Sequence, residues 1–178
     1  MAFADLVSFT RVVRELSERD LAMLVQRFET ITSDAVNAGG GRLIKTVGDE
    51  VLYTAWPPSA AAGIAVSICE QIAADPMLPN VRIGIASGEV LGRLGDVFGT
   101  TVNLASRITA LAAPGCILCD EATAVALEDS EQFATTQARR RSIKGLGQVS
   151  TWTVTRAGEP PRSAGAGLWR RALTGHRI

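Results

Sequence analysis

The chain has 178 residues, 47% of them hydrophobic, enough for one domain of ordinary size with a substantial core. Its 18 basic and 18 acidic side chains cancel, which argues against a nucleic-acid binder held by bulk charge and leaves only a local basic patch open. No apolar run approaches the roughly 20 residues needed to span a bilayer. The N-terminus lacks the basic segment, apolar stretch and cleavage site of a secretory leader, so a cytoplasmic location is expected.

The chain opens on a short strand, Ala2 to Val7, interrupted by Asp5. So little precedes this strand that an excised domain, or a regulatory segment upstream, is expected. A long amphipathic helix follows in "SERDLAMLVQRFETITSDAVNAG". Leu21, Leu24, Val25, Phe28, Ile31 and Thr32 recur at the three- and four-residue steps of one helical face. Ser17 is placed to cap it, with Asp20 three residues on as a looser capping box, and "AGGG" ends it. "RLIKTVGDEVLYTAW" reads as two strands about a turn near Gly48. "PPSAAAGIAVSICEQIAA" is a second helix, its prolines at the start, where a missing N–H costs nothing.

Beyond it, "VRIGIASGEVLGRLG" predicts a further pair of strands, and "TTVNLASRITALAAPG" a third helix stopped by Pro114 and Gly115. A short strand "CILCD", a short helix "EATAVAL" and two late strands around "RRRSIKGLG" and "VSTWTVTR" complete the pattern. Hairpins mixed with helical crossovers point to an α+β class, an antiparallel or mixed sheet with helices on one face. From about residue 157, "AGEPPRSAGAGLWRRALTGHRI" has no sustained period and reads as a flexible tail, with a short partner-binding helix around "GLWRRAL" as the alternative. Domain limits of 1–156 and 157–178 follow.

Several groups could carry chemistry. Cys116 and Cys119 have redox-motif spacing but lie in an apolar strand, while Cys69 stands apart, so all three read as structural. Asp5, at a strand exit, and Asp49, at a hairpin turn, would each alone be a solvated or capping acid. If their strands are neighbours, the two carboxylates converge and repel unless a cation separates them, and an all-oxygen site of that kind suits Mg²⁺ or Mn²⁺. In "GDVFGTTVNLASRI", Asn103 and Arg107 stand four apart on one helical face, and Asp96 precedes them in a loop between glycines. Arginine's planar fork suits phosphate oxygens and an asparagine amide can orient a hydroxyl, although two exposed polar residues on a helix need no function. "RRRSIKGLG" is either a protective basic edge strand or a phosphate site around Lys144. A Walker A pattern is absent, and the one histidine, His176, lies in the tail, which disfavours a Ser-His-Asp hydrolase.

"FADLVSFT", "IKTVGDEVLY", "GDVFGTTVNLASR" and "IKGLG" occur in this order. Together they resemble the catalytic domain of class III adenylate cyclases, especially the actinobacterial kind, over roughly residues 1–156. The resemblance implies a mainly antiparallel, ferredoxin-like or palm-like sheet with helices packed on it. It also implies a homodimer with two active sites shared between subunits, acting on ATP to form cyclic AMP and pyrophosphate. Asp5, Asp49 and the Leu6 carbonyl are then expected to hold two divalent ions, Mg²⁺ or Mn²⁺. Lys45 would look across the dimer into the other site and read the purine there with Asp96, and Phe9 and Thr10, in the loop after the first strand, would offer N–H groups to the phosphates. Lys144 would clamp the terminal phosphates, Asn103 orient the ribose, and Arg107 stabilise charge at the α-phosphoryl oxygens. A carboxylate that accepts from N6 and an ammonium that donates to N1 suit adenine, whereas guanine reverses these groups. A catalytically silent nucleotide-binding or dimerising module and a guanylate cyclase are the alternatives. No nucleic-acid partner and no membrane segment are expected.

Overall fold

A computed structural model describes residues 1–143, 145 and 147–160. Lys144, and the tail from residue 161 with His176 and "GLWRRAL", lie outside the described residues. In chain order the elements begin with β1 (Ala2–Leu6), α1 (Phe9–Glu15), α2 (Glu18–Ala38), β2 (Arg42–Val47) and β3 (Glu50–Thr54). They continue with α3 (Pro58–Ala74), β4 (Val81–Ile85), β5 (Leu91–Arg93), β6 (Asp96–Phe98) and α4 (Thr100–Leu111). The last are β7 (Ile117–Cys119), α5 (Glu121–Ala126), β8 (Phe133–Gln137), β9 (Arg141–Ile143), β10 (Gly147–Val149) and β11 (Trp152–Arg156).

Seven of the described strands form one sheet in the order β2-β3-β1-β4-β7-β11-β8. Every neighbouring pair in it is antiparallel except β4 with β7, so the expected mixed, mainly antiparallel sheet is what forms. β1 lies between β3 and β4, which makes the strand that carries Asp5 a central one.

Local chemistry accounts for the element ends. Ser17 caps α2 by accepting from the Asp20 N–H at 3.2 Å and donates to the Asp20 carboxylate at 2.6 Å, as its spacing predicts. Leu24, Phe28, Thr32, Ala35 and Val36 bury one stripe of that helix. The tight turn between β2 and β3 sits at Gly48, whose φ of 61° is left-handed and favours glycine. α3 starts at Pro58 after Pro57.

The sheet's two faces differ. Ala2, Ala4, Leu6, Val51, Tyr53, Ile83 and Ile85 pack with α2 and α3 in the main core. Phe3, Leu52 and Ala86 face the other way, against Ala105 of α4. Helices on one face were expected; α4 covers the second. Gly84 makes this contact possible, because a Cβ there would lie 2.3 Å from the Thr109 backbone nitrogen and 2.7 Å from the Ala105 carbonyl oxygen. Side chains that alternate along β4 leave glycine as the flat spot on which α4 rests.

Four further local expectations are corrected. Phe9 and Thr10 open the helix α1 and do not lie in a loop, because Ser8 takes the left-handed region (φ 63°) and turns the chain directly into it. Asp96 begins a strand, because β5 and β6 close a hairpin of their own around Leu94 and Gly95. β4 and β5 consequently do not pair with each other. β8 was not expected; it adds to β11 as the edge of the main sheet, and "FATTQ" carries only a weak strand signal, two threonines beside one aromatic.

Cys119 is fully buried, and burial pushes its thiol up to about 12, which leaves it protonated and inert at neutral pH. That is the structural role its apolar strand suggests.

Replacing Gly84 by alanine should destabilise the fold by about 1–3 kcal/mol, because the new methyl meets backbone that cannot yield. Gly92→Ala, where nothing lies within 4 Å, should stay within about 0.5 kcal/mol of the parent. Urea denaturation midpoints of the two variants check the contrast.

Candidate active site

The β2–β3 turn meets the end of β1. The Leu6 N–H donates to the Asp49 carbonyl at 3.1 Å, which holds the turn against the strand that carries Asp5. In the sheet register Asp5 stands opposite Glu50 on one side and Arg82 on the other. Directly paired antiparallel residues project to the same face, so Arg82, Asp5 and Glu50 form one transverse row on the face that α4 partly covers.

The Leu6–Asp49 contact brings Asp49 close enough to Asp5 for the two carboxyl groups to act on each other's charge. Burial raises the Asp49 pKa, and repulsion from Asp5 together with the hydrogen bond shared with it adds to the rise. Burial also raises Glu50, followed by the charges of Asp5 and Asp49. Two carboxylates held this close are poised for a cation. Among the described residues no group of three or more His, Cys, Asp or Glu side chains is arranged to enclose one. The chemistry of two adjoining carboxylates suits a hard divalent ion that takes one or two protein carboxylates and fills its remaining positions with water and phosphate oxygen.

Arg82 fills part of that role. Its Nε and Nη2 both donate to Asp5 Oδ2, at 2.6 and 2.5 Å, and its Nη1 reaches the Ala110 carbonyl at the end of α4 at 3.5 Å. Sequence reasoning missed Arg82 and Glu50. The signal was a charge inside each of two otherwise apolar strands, "VRIGI" and "EVLYT", and only strand pairing shows what those charges face.

Lys45 and Asp96, 51 residues apart, meet as an ion pair with Nζ to Oδ2 at 2.6 Å. The Lys45 hydrogen bond holds the Asp96 carboxyl below its ordinary pKa, assisted by the Val97 N–H. The charges are partly exposed, and a cavity of about 270 Å³ opens beside Asp96, lined also by Arg42, Ile44 and Arg93. A second crevice, between α3 and the strands β7 and β11, measures only about 20 Å³ and could not admit a nucleotide.

Asn103 and Arg107 are exposed on α4, and neither forms a hydrogen bond or ion pair with Asp5 or Asp49 in the described chain. The structure thus brings together Asp5 with Asp49 and Lys45 with Asp96. It leaves Asn103 and Arg107 on an outward helical face, and Phe9 and Thr10 in the first turn of α1 with their N–H groups at the helix start.

A mixed sheet of this order with helices on both faces is the frame of a nucleotide-cyclase catalytic domain. The sequence matches the adenylate and guanylate cyclase catalytic domain over residues 1–156, and the chain belongs to that family. It is 45% identical over 168 residues to an adenylate cyclase of Glutamicibacter nicotianae, which covers 94% of this chain and 40% of that protein. It is 43% identical over 182 residues to an adenylate cyclase of Streptomyces coelicolor, covering 88% of this chain and 48% of that one. The chain thus spans less than half the length of these two relatives. Among solved structures, the catalytic core of a rhodopsin-guanylyl cyclase with converted specificity, in complex with ATPαS, superposes with a TM-score of 0.80 at 27% identity. That likeness covers 87% of this chain and 93% of the other. No helix among the described residues is long and apolar enough to cross a membrane.

The raised Asp49 pKa carries a sign for stability. A carboxylate whose folded pKa lies above its unfolded value opposes folding once ionised, and that opposition disappears as pH falls below about 4. Asp49→Asn should therefore raise the metal-free melting temperature at pH 7.5, and the gain should shrink toward pH 4. Thermal unfolding in chelator at the two pH values measures it.

Proposed function

We propose that this chain is the catalytic domain of an adenylate cyclase, converting ATP to 3′,5′-cyclic AMP and pyrophosphate at sites shared by two copies of the chain. One observation carries the reading. The β2–β3 hairpin bears Lys45, paired with Asp96, on one strand, and at its turn Asp49, set against Asp5. A single hairpin thus carries both a base reader and a cation ligand. The actinobacterial relatives named adenylate cyclase support the same reading.

The assigned work of each residue follows from its chemistry. Asp5, Asp49 and the Leu6 carbonyl hold two divalent ions, Mg²⁺ or Mn²⁺. When bound, these ions supply a lowered pKa at the ribose 3′-hydroxyl and countercharge for the leaving pyrophosphate. Asp96 accepts from the adenine N6 amino group and Lys45 donates to N1, which selects ATP over GTP. The N–H groups of Phe9 and Thr10 meet phosphate oxygens, and Lys144 clamps the far end of the triphosphate. Asn103 orients the ribose, and the Arg107 fork faces the α-phosphoryl oxygens as the 3′-oxygen attacks and pyrophosphate departs.

Two features favour a dimer over a self-contained subunit. Asn103 and Arg107 are exposed on α4 and do not meet the acid pair of their own chain, which supports a second copy bringing them there. The β5–β6 hairpin and its approach expose Val90, Leu91, Leu94 and Phe98, and Leu94 at its tip is 96% accessible. Apolar residues clustered on a projecting hairpin suit a protein partner better than water.

The purified chain with Mn²⁺ and either ATP or GTP tests the reading, with chromatography of the products. Cyclic AMP from ATP alone is expected. Cyclic GMP as the main product would make it a guanylate cyclase, and no product from either would leave a silent nucleotide-binding module. Arg107→Ala should lower turnover on the order of 10²–10³. Mixed with Asp5→Asn, also inactive alone, it should regain activity at one of the two sites of the mixed dimer. Failure to recover, with subunit exchange demonstrated, would argue against shared sites.

A further inference from the structure

We propose that Arg82 is a positioning residue of the cation site, a resident countercharge that holds the Asp5 carboxylate in the metal-free protein and that an incoming divalent ion has to displace. This rests on the reading of Asp5 and Asp49 as ion ligands, and it concerns how readily that site fills.

Three observations carry it. First, two N–H groups of Arg82 converge on a single oxygen of Asp5, at 2.6 and 2.5 Å, and only 16% of the Asp5 side chain stays accessible. A partly desolvated pair of this geometry is screened far less than a surface ion pair. Second, Arg82 is the cation in direct register with the acids. It faces Asp5 across β1 and β4, Glu50 flanks Asp5 on β3, and Asp49 stands beside them at the turn that bonds to Leu6. Lys45, on the neighbouring hairpin, is committed to Asp96. Third, the guanidinium has a second foothold. Its Nη1 lies 3.5 Å from the Ala110 carbonyl, in the last turn of α4, where unpaired carbonyls and the helix dipole favour a positive charge. Released from Asp5, Arg82 keeps a place to rest.

Ion binding then becomes an exchange of one cation for another. Apparent affinity is reduced by the fraction of molecules in which Asp5 is free to turn to the ion. If Arg82 occupies Asp5 most of the time, removing it should tighten binding by about five- to tenfold. An arginine that merely props Asp5 in place would have the opposite effect, since its loss would let the ligand wander and weaken binding.

The experiment is a direct Mn²⁺ titration of the whole chain without nucleotide, following free Mn²⁺ by electron paramagnetic resonance. Wild type, Asp5→Asn, Arg82→Gln and Arg82→Lys are compared, and each is checked for folding by circular dichroism. The expected result is an Asp5-dependent site in wild type that tightens about five- to tenfold in Arg82→Gln. The same variant should melt lower than wild type in chelator and gain more in melting temperature from saturating Mn²⁺. Arg82→Lys, which keeps the charge without the fork, should fall between the two; if Arg82→Gln does not fold, this variant decides alone. Asp5-dependent binding that is unchanged or weaker in the folded Arg82 variants overturns the proposal and leaves the ion site standing. Mn²⁺ binding indifferent to Asp5→Asn overturns the ion-site reading itself, and this inference with it.

Discussion

Backbone pairing forces like charges together where β1 meets the β2–β3 turn, and much of the site is a response to that constraint. The Leu6 amide bonds to the Asp49 carbonyl, and Asp5 is locked in register with Glu50, so three acids are set beside one another. Strand pairing cannot relax to separate them without breaking the ladder between β1 and β3. Burial, with the repulsion added, biases Asp49 and Glu50 toward their protonated forms, and Arg82 pairs with Asp5 from the opposite strand. Such an arrangement is poorly balanced by itself and is improved by a cation, which is a physical reason for the site to bind one.

The same sheet divides its labour between faces. One face buries a continuous aliphatic core under α2 and α3. The other is only partly covered, by α4 resting on Gly84, and the uncovered part carries Lys45, Asp5, Glu50 and Arg82. A rigid two-sided core beneath a half-open polar face is what holds reactive side chains in place without burying them. The loop after β4 is fastened as well. Thr101 Oγ1 donates to the Glu89 carbonyl at 2.8 Å, and the Ser87 N–H donates to the buried Asp120 carboxylate at 3.2 Å. The start of α4 is therefore anchored to the strand on which the helix lies.

Features set by neighbours in the chain were legible from the residues. The Ser17 cap, the stripe of Leu24, Phe28 and Thr32 on α2, the Gly48 turn and the shared face of Asn103 and Arg107 each depend on spacings of three, four or two residues. Features set by distant pairing were not. The left-handed Ser8 that converts a supposed loop into α1 has no strong local signature. β8 becomes a strand only because β11 offers it an edge. Arg82 reads as an unremarkable charge in an apolar strand until β4 lies beside β1.

By itself, the sequence determined the long helices and the β2–β3 hairpin, and which residues could serve as acid, cation or hydrogen-bonding amide, because those properties reside in single side chains and short periods. Tertiary structure alone decided that Asp5 meets both Asp49 and Arg82, that Lys45 reaches Asp96 across 51 residues, and that α4 takes the second face. The physical reason is that register and strand order are collective. They follow from the burial of a whole core, and one residue's slip would turn each of these side chains to the other face.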